Sequence, residues 1–74
     1  MPASTVIVQH RDGSPARRVR IVLGFRNGGM TKDVYADDKG RAVVEHTSVG
    51  QADVFVSGKK VGTMHAPGSF AVTI

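Results

Sequence analysis

The chain contains no cysteine and no tryptophan, and its aromatic side chains are one tyrosine and three phenylalanines. Without thiols, disulfides and thiolate metal sites are excluded together. No apolar stretch approaches the ~20 residues that span a bilayer as a helix. Acidic residues are scarce as well: six Asp and Glu stand against ten Lys and Arg, leaving a net charge of +4. That surplus favours anionic partners such as nucleic acid, acidic proteins or a membrane surface. It also lies in the range that simply keeps a small domain dispersed. The opening Met1-Pro2-Ala3-Ser4-Thr5 has neither the basic region nor the apolar core of a Sec signal. The expected location is therefore the cytoplasm, the alternative being a fragment of a longer secreted protein.

What the chain does have is turn chemistry at short intervals. Asp12-Gly13-Ser14-Pro15, Asn27-Gly28-Gly29, Asp37-Asp38-Lys39-Gly40, Ser48-Val49-Gly50, Ser57-Gly58-Lys59-Lys60 and Ala66-Pro67-Gly68-Ser69 punctuate short apolar stretches. Gly supplies positive φ, Asp and Asn fold back on their own backbone, and Pro presets φ, so each cluster reverses the chain. Between them the apolar pattern has period two, with β-branched residues abundant and no helical spacing. Strands are expected at roughly 4–10, 17–26, 30–36, 41–47, 51–57, 60–65 and 69–74. The expected fold is all-β: a single domain over 1–74, a small seven-stranded antiparallel β-sandwich, with a small β-barrel as the alternative. A chain of 74 residues buries only about 60% of its unfolded surface. With no disulfide to help, stability must come from good turns, close packing or assembly with another chain.

The second strand is the best specified. Val19, Ile21, Leu23 and Phe25 alternate with Arg18, Arg20, Val22, Gly24 and Arg26, giving one apolar and one basic face. Asn27-Gly28 after it is a strong signal for a two-residue type I′ hairpin, which needs φ > 0 at both positions. Such a loop puts Arg26 opposite Gly29, Phe25 opposite Met30, Leu23 opposite Lys32, Ile21 opposite Val34 and Val19 opposite Ala36. On the solvent side Arg20 meets Tyr35, Val22 meets Asp33 and Arg18 meets Asp37. Gly24 in mid-strand suggests a bulge, a bend or another backbone pressing close.

Several of these segments resemble a family. Asp12-Gly13-Ser14-Pro15-Ala16, then Val19-Arg20-Ile21-Val22-Leu23, then Ala36-Asp37-Asp38-Lys39-Gly40-Arg41-Ala42-Val43-Val44 are similar to the transthyretin-like β-sandwiches. That group includes the carboxypeptidase regulatory-like domains and the collagen-adhesin B-type repeats, and Gly50-Gln51-Ala52-Asp53-Val54-Phe55-Val56 resembles their next element. Ala36 departs from the usual Thr. The resemblance implies a transthyretin/Ig-like scaffold used for adhesion, assembly or spacing. Its chemistry does not carry over, since the first strand has no Lys and the last no Asn or Asp for an isopeptide. The chain also ends Ala71-Val72-Thr73-Ile74, unlike the Tyr-Arg-Gly-Ser ending of the related hydroxyisourate hydrolases.

Candidate sites are few. His10, His46 and His65 lie far apart in sequence, so a metal site would need assembly across strands, and His46 instead shares a face with Ala42 and Val44. No nucleophile elbow or phosphate-cradling loop is present. Asp37-Asp38-Lys39-Gly40 lacks the ligand series of a calcium loop. No catalytic residue, metal or cofactor is expected, and the chain is expected not to be an enzyme. The sharper signal is the basic set Arg18, Arg20 and Arg26 with Tyr35 as a stacking surface. Arg17 adjoins it, while Asp33 and Asp37 partly neutralise it, and a solvated charged face or an edge guarded against aggregation accounts for the same arginines. Phe55 points away from Val54 and Val56, and with Ile7 and Val43 it is expected to form an outward apolar patch. The expected function is a protein-binding or self-assembling module, possible partners being a protein or a second copy. The alternative is a small nucleic-acid-binding domain using the arginine face.

Overall fold

The computed structural model describes residues 2–26 and 28–74. Its strands are β1 (Ala3–Gln9), β2 (Arg20–Phe25), β3 (Gly29–Met30), β4 (Val34–Tyr35), β5 (Arg41–Glu45), β6 (Gly50–Val56), β7 (Lys59–Ala66) and β8 (Ser69–Thr73). They form a three-stranded sheet ordered β5-β1-β8 and a five-stranded sheet ordered β3-β2-β6-β7, in which β4 also pairs with β2. The fold is all-β, as the alternation predicts. It differs in two respects: the expected strand over 30–36 is two short strands, and β1 and β8 run parallel. No helix among the described residues is long and apolar enough to cross a membrane.

Strict alternation places the core. Val6, Val8, Ala42 and Val44 from one sheet meet Ile21, Leu23, Phe25, Ala52, Val54 and Val56 from the other, all buried in one cluster. Val61, Phe70 and Val72 pack on its margin and are only half-buried. Because each face is one layer of a two-layer stack, period two is enough to say which side chains point inward.

The β2 hairpin corrects the expected register at its tip and agrees with it at its base. Asn27 lies outside the described residues, so the type I′ turn at Asn27-Gly28 is not among its features. The loop holds three residues rather than two, since Phe25 pairs with Gly29 and Gly24 with Met30. Gly29 has φ +76. Farther down, Arg20 pairs with Tyr35 and Ile21 with Val34, as expected from the shorter loop. One extra residue in the segment 31–33 absorbs the difference. There Thr31 bonds Leu23 twice: its N–H donates to the Leu23 carbonyl (2.9 Å), and its hydroxyl accepts from the Leu23 N–H (3.0 Å). The pairs Arg26–Gly29, Phe25–Met30, Leu23–Lys32 and Val22–Asp33 are therefore absent, and Lys32 and Asp33 loop out into solvent. The left-handed two-residue turn occurs instead at Ser57 (φ 52) and Gly58 (φ 82), with Val56 opposite Lys59.

Candidate functional site

The solvent side of the five-stranded sheet collects Arg20, Val22 and Gly24 from β2, Asp53 and Phe55 from β6, Tyr35 from β4 and Met30 from β3. Val22 and Phe55 are directly opposed, and the Phe55 ring lies across Gly24, 3.1 Å from where a Cβ would stand. Gly24 thus faces a side chain packed closely over it rather than a bulge or a second backbone. Val22 is buried although it faces away from the core, because Phe55 and its neighbours cover it. Met30 (65% exposed) and Tyr35 (57%) add exposed apolar surface to this face, which holds a shallow hollow of ≈ 330 Å³ lined in part by Arg20, Val22, Met30, Asp33 and Phe55.

Charge frames this surface. The Arg20 guanidinium reaches the β6–β7 turn, 3.1 Å from the position a Gly58 Cβ would take. A bulge in the β6–β7 ladder skips Val61 and brings Lys60 opposite Phe55. Lys60 Nζ then stands 3.4 Å from Asp53 Oδ1, an ion pair without hydrogen-bond geometry, since that oxygen has no hydrogen-bond partner.

The five residues singled out from the sequence divide accordingly. Arg20, Tyr35 and Phe55 come together on this face. Arg18 does not sit on β2: it occupies a turn with φ 59, its N–H donating to the Ala36 carbonyl, which also ends the expected Arg18–Asp37 pairing. Arg26 is in the turn beyond the far end of β2. At about 3.3 Å per residue it lies roughly 20 Å along the strand from Arg20. The expected patch of Ile7, Val43 and Phe55 does not exist as one surface. Ile7 and Val43 are exposed on the outer face of the three-stranded sheet, and the whole sandwich separates them from Phe55. Val22, Met30 and Lys60, which the sequence reading left out, belong to the site. The alternation around Val22 carried a signal for it, whereas Met30 and Lys60 reach the face only through local register shifts.

His46 is the other group with chemical potential, and it is buried beside Ala42 and Val44. Its Nε2 lies 2.8 Å from the Ser4 hydroxyl and its Nδ1 2.6 Å from the Ser48 carbonyl. A carbonyl only accepts, so Nδ1 carries a proton, and in the neutral ring Nε2 accepts from Ser4. Ser4 Oγ in turn accepts from the Gly68 N–H at 3.3 Å, and the Phe25 ring lies over the imidazole at 5.0 Å between centroids. Ser4 is 1% exposed, so the hydroxyl is buried and ties β1 to the end of β5 and the β7–β8 turn, while His46 also borders an open cleft of ≈ 640 Å³ with Phe25, Val34, Glu45 and Ser48. Among the described residues no three His, Asp or Glu side chains form a group that could hold a metal ion.

The turn carboxylates serve the backbone. Asp37 Oδ1 accepts from the Arg41 and Lys39 N–H groups, and these bonds hold its pKa below 3.8. Asp12 is lowered likewise, first by the Ser14 hydroxyl and then by the Ser14 N–H. Compared with models of known protein families and with curated protein sequences, the chain matches none.

Proposed function

We propose that this chain is a non-enzymatic protein-binding module, and that it binds polypeptide through the outer face of its larger sheet. The observation that carries the reading is Val22, Met30, Tyr35 and Phe55 gathered on the solvent side of a sheet whose other side is already the core. Apolar and aromatic centres with a charged rim are the usual anatomy of a protein contact. Here the rim is Arg20 and the Lys60–Asp53 pair. The non-enzymatic part is supported by the burial of the Ser4 hydroxyl and by the use of Asp12 and Asp37 in turns.

We also read the sandwich as transthyretin-like, with a cytoplasmic location suited to a chain free of cysteine. Support for the family comes from the two Asp turns in the segments that carry the resemblance, Asp12 bonding Ser14 and Asp37 bonding Lys39 and the first residue of β5, Arg41. Nucleic-acid binding is the weaker reading, because Arg18, Arg20 and Arg26 do not form a continuous stripe.

The test compares the immobilised chain with a Met30→Asp/Tyr35→Ser variant, before and after nuclease treatment. Both side chains are exposed, so the variant keeps the fold. Loss of the captured proteins in the variant, unaffected by nuclease, is expected. Capture that is identical in both, or that disappears with nuclease, overturns the reading, the second result in favour of nucleic acid.

A further inference from the structure

Exposed strand edges offer rows of unpaired N–H and C=O groups, and stable proteins blunt them with charge, breaks, bulges or cover. Three of the four edges here are blunted. On β5, Arg41 and Glu45 are charged and Asp37 occupies both backbone groups of Arg41. The opposite sheet ends in two strands of two residues each, interrupted at 31–33. On β7, Lys59 and Lys60 accompany the bulge at Val61. Among the described residues β8, Ser69–Thr73, is the one edge strand longer than two residues with no charge, proline, glycine or bulge.

The hydrogen-bond parity of β8 shows which groups are free. The Thr5 N–H donates to the Gly68 carbonyl and the Ile74 N–H to the Gln9 carbonyl. The parallel ladder therefore takes the even-numbered residues of β8, and Ser69, Ala71 and Thr73 turn their N–H and C=O groups outward. Among the described residues nothing meets them. Beside this edge a groove of ≈ 570 Å³ opens toward β6 and β7, lined by Val56, Val61, Val72 and Ile74, with Lys59 and Ser57 at its border. Val72 is half-buried there, and the Phe70 ring, half-buried as well, rests against Gly62 on the same inner side of β8.

We propose that β8 is the edge through which two copies of the chain join, pairing antiparallel about Ala71. This specifies the self-assembling form of the protein-binding reading, but on a different surface. In that register Ser69 faces the partner's Thr73 on the solvent side. Phe70 faces the partner's Val72 on the inner side, so each copy continues the other's apolar layer over its open groove. The pairing brings no like charges together, which matters for a chain carrying +4. The same is not true of β7, where Lys59 and Lys60 would stand on the edge. One added strand pair is a small contact, in the class below about 1,200 Å² that dissociates readily.

Sedimentation across a concentration series tests this. The mass should rise from 7.8 kDa toward twice that value as the concentration approaches about 1 mM. Ala71→Lys sets like charges directly opposite each other, and the variant should stay at the monomer mass throughout, while Ala71→Ser behaves as wild type. The Ala71 side chain is exposed and its N–H lies outside the ladder, so far-UV circular dichroism should not change. Should it change, Ala71→Pro is the second variant, since it removes only an outward N–H. Hydrogen exchange at the Ala71 amide should slow with concentration, and that at Val72 should not. A wild type that stays monomeric throughout overturns the proposal and leaves the edge to some other extended peptide. A dimer that survives both Ala71→Lys and Ala71→Pro also overturns it, placing the contact elsewhere. Neither result touches capture through Met30 and Tyr35, so the two readings fail separately.

Discussion

At the scale of single residues, backbone strain and turn carboxylates dominate. Ser57 sits at φ 52, a conformation that costs a typical side chain about 1–2 kcal/mol and that Asn tolerates better. Ser57→Asn should therefore raise stability by about 0.5 kcal/mol, a part of that left-handed cost. Chemical denaturation with an unchanged slope would show it. Asp37 supplies a pH response. Its folded pKa is depressed below 3.8 by bonds from Arg41 and Lys39, so the stabilisation is present above the unfolded value and disappears as pH falls through the folded one. Asp37→Asn keeps an acceptor oxygen and removes the titration. The variant should lose less stability than wild type on acidification below pH 3.8, measured by thermal melts at stepped pH. Gly40 is the position where a side chain is least tolerable: φ is +75, and a Cβ would press on the Val8 carbonyl oxygen. Gly40→Ala should cost at least about 1–3 kcal/mol from the backbone alone.

At the scale of elements, the hairpin of β2, β3 and β4 shows what was legible and what was not. The alternation of Val19 to Phe25 has only one arrangement that buries Ile21, Leu23 and Phe25 together, so the inward face was readable. The base pairing of Arg20 with Tyr35 was readable too, yet the loop assumed for it is one residue short. Two local departures cancel: a longer loop and an extra residue at 31–33. The second exists because the Thr31 hydroxyl replaces a backbone carbonyl as acceptor for Leu23, a substitution that alternation does not encode. Thr31→Val removes that acceptor and leaves the N–H of the fully buried Leu23 unpaired, at a cost of about 1–3 kcal/mol. Thr31→Ser should recover most of it, with denaturation midpoints of the pair as the measurement. The β6–β7 bulge, which carries Lys60 to Phe55, was hidden for the same reason.

At the scale of the whole molecule, what the sequence could not state was which sheet each strand joins. Period two separates inward from outward, but the outward residues of two sheets look alike. Ile7, Val43 and Phe55 are all outward, and only the long-range order β5-β1-β8 against β3-β2-β6-β7 puts them on opposite surfaces. The basic residues are separated along one element instead, with Arg18 and Arg26 in turns at the two ends of β2. Duplex binding loses about 0.9 in log affinity per log unit of salt for each phosphate neutralised, so a scattered set gives a shallow slope. Mixed-sequence DNA and RNA should show no mobility shift at low salt, and an Arg18→Ser/Arg20→Ser variant should match wild type. The apolar residues differ in lying on one side of the larger sheet. Hydroxyl-radical footprinting of the chain in nuclease-treated cell extract, against the purified chain, examines that face directly. Protection of Met30, Tyr35 and Phe55, with Ile7 and Val43 equally reactive in both samples, is the predicted result. Unchanged reactivity at Met30 and Tyr35, or protection confined to Ile7 and Val43, would contradict the assignment of the binding face.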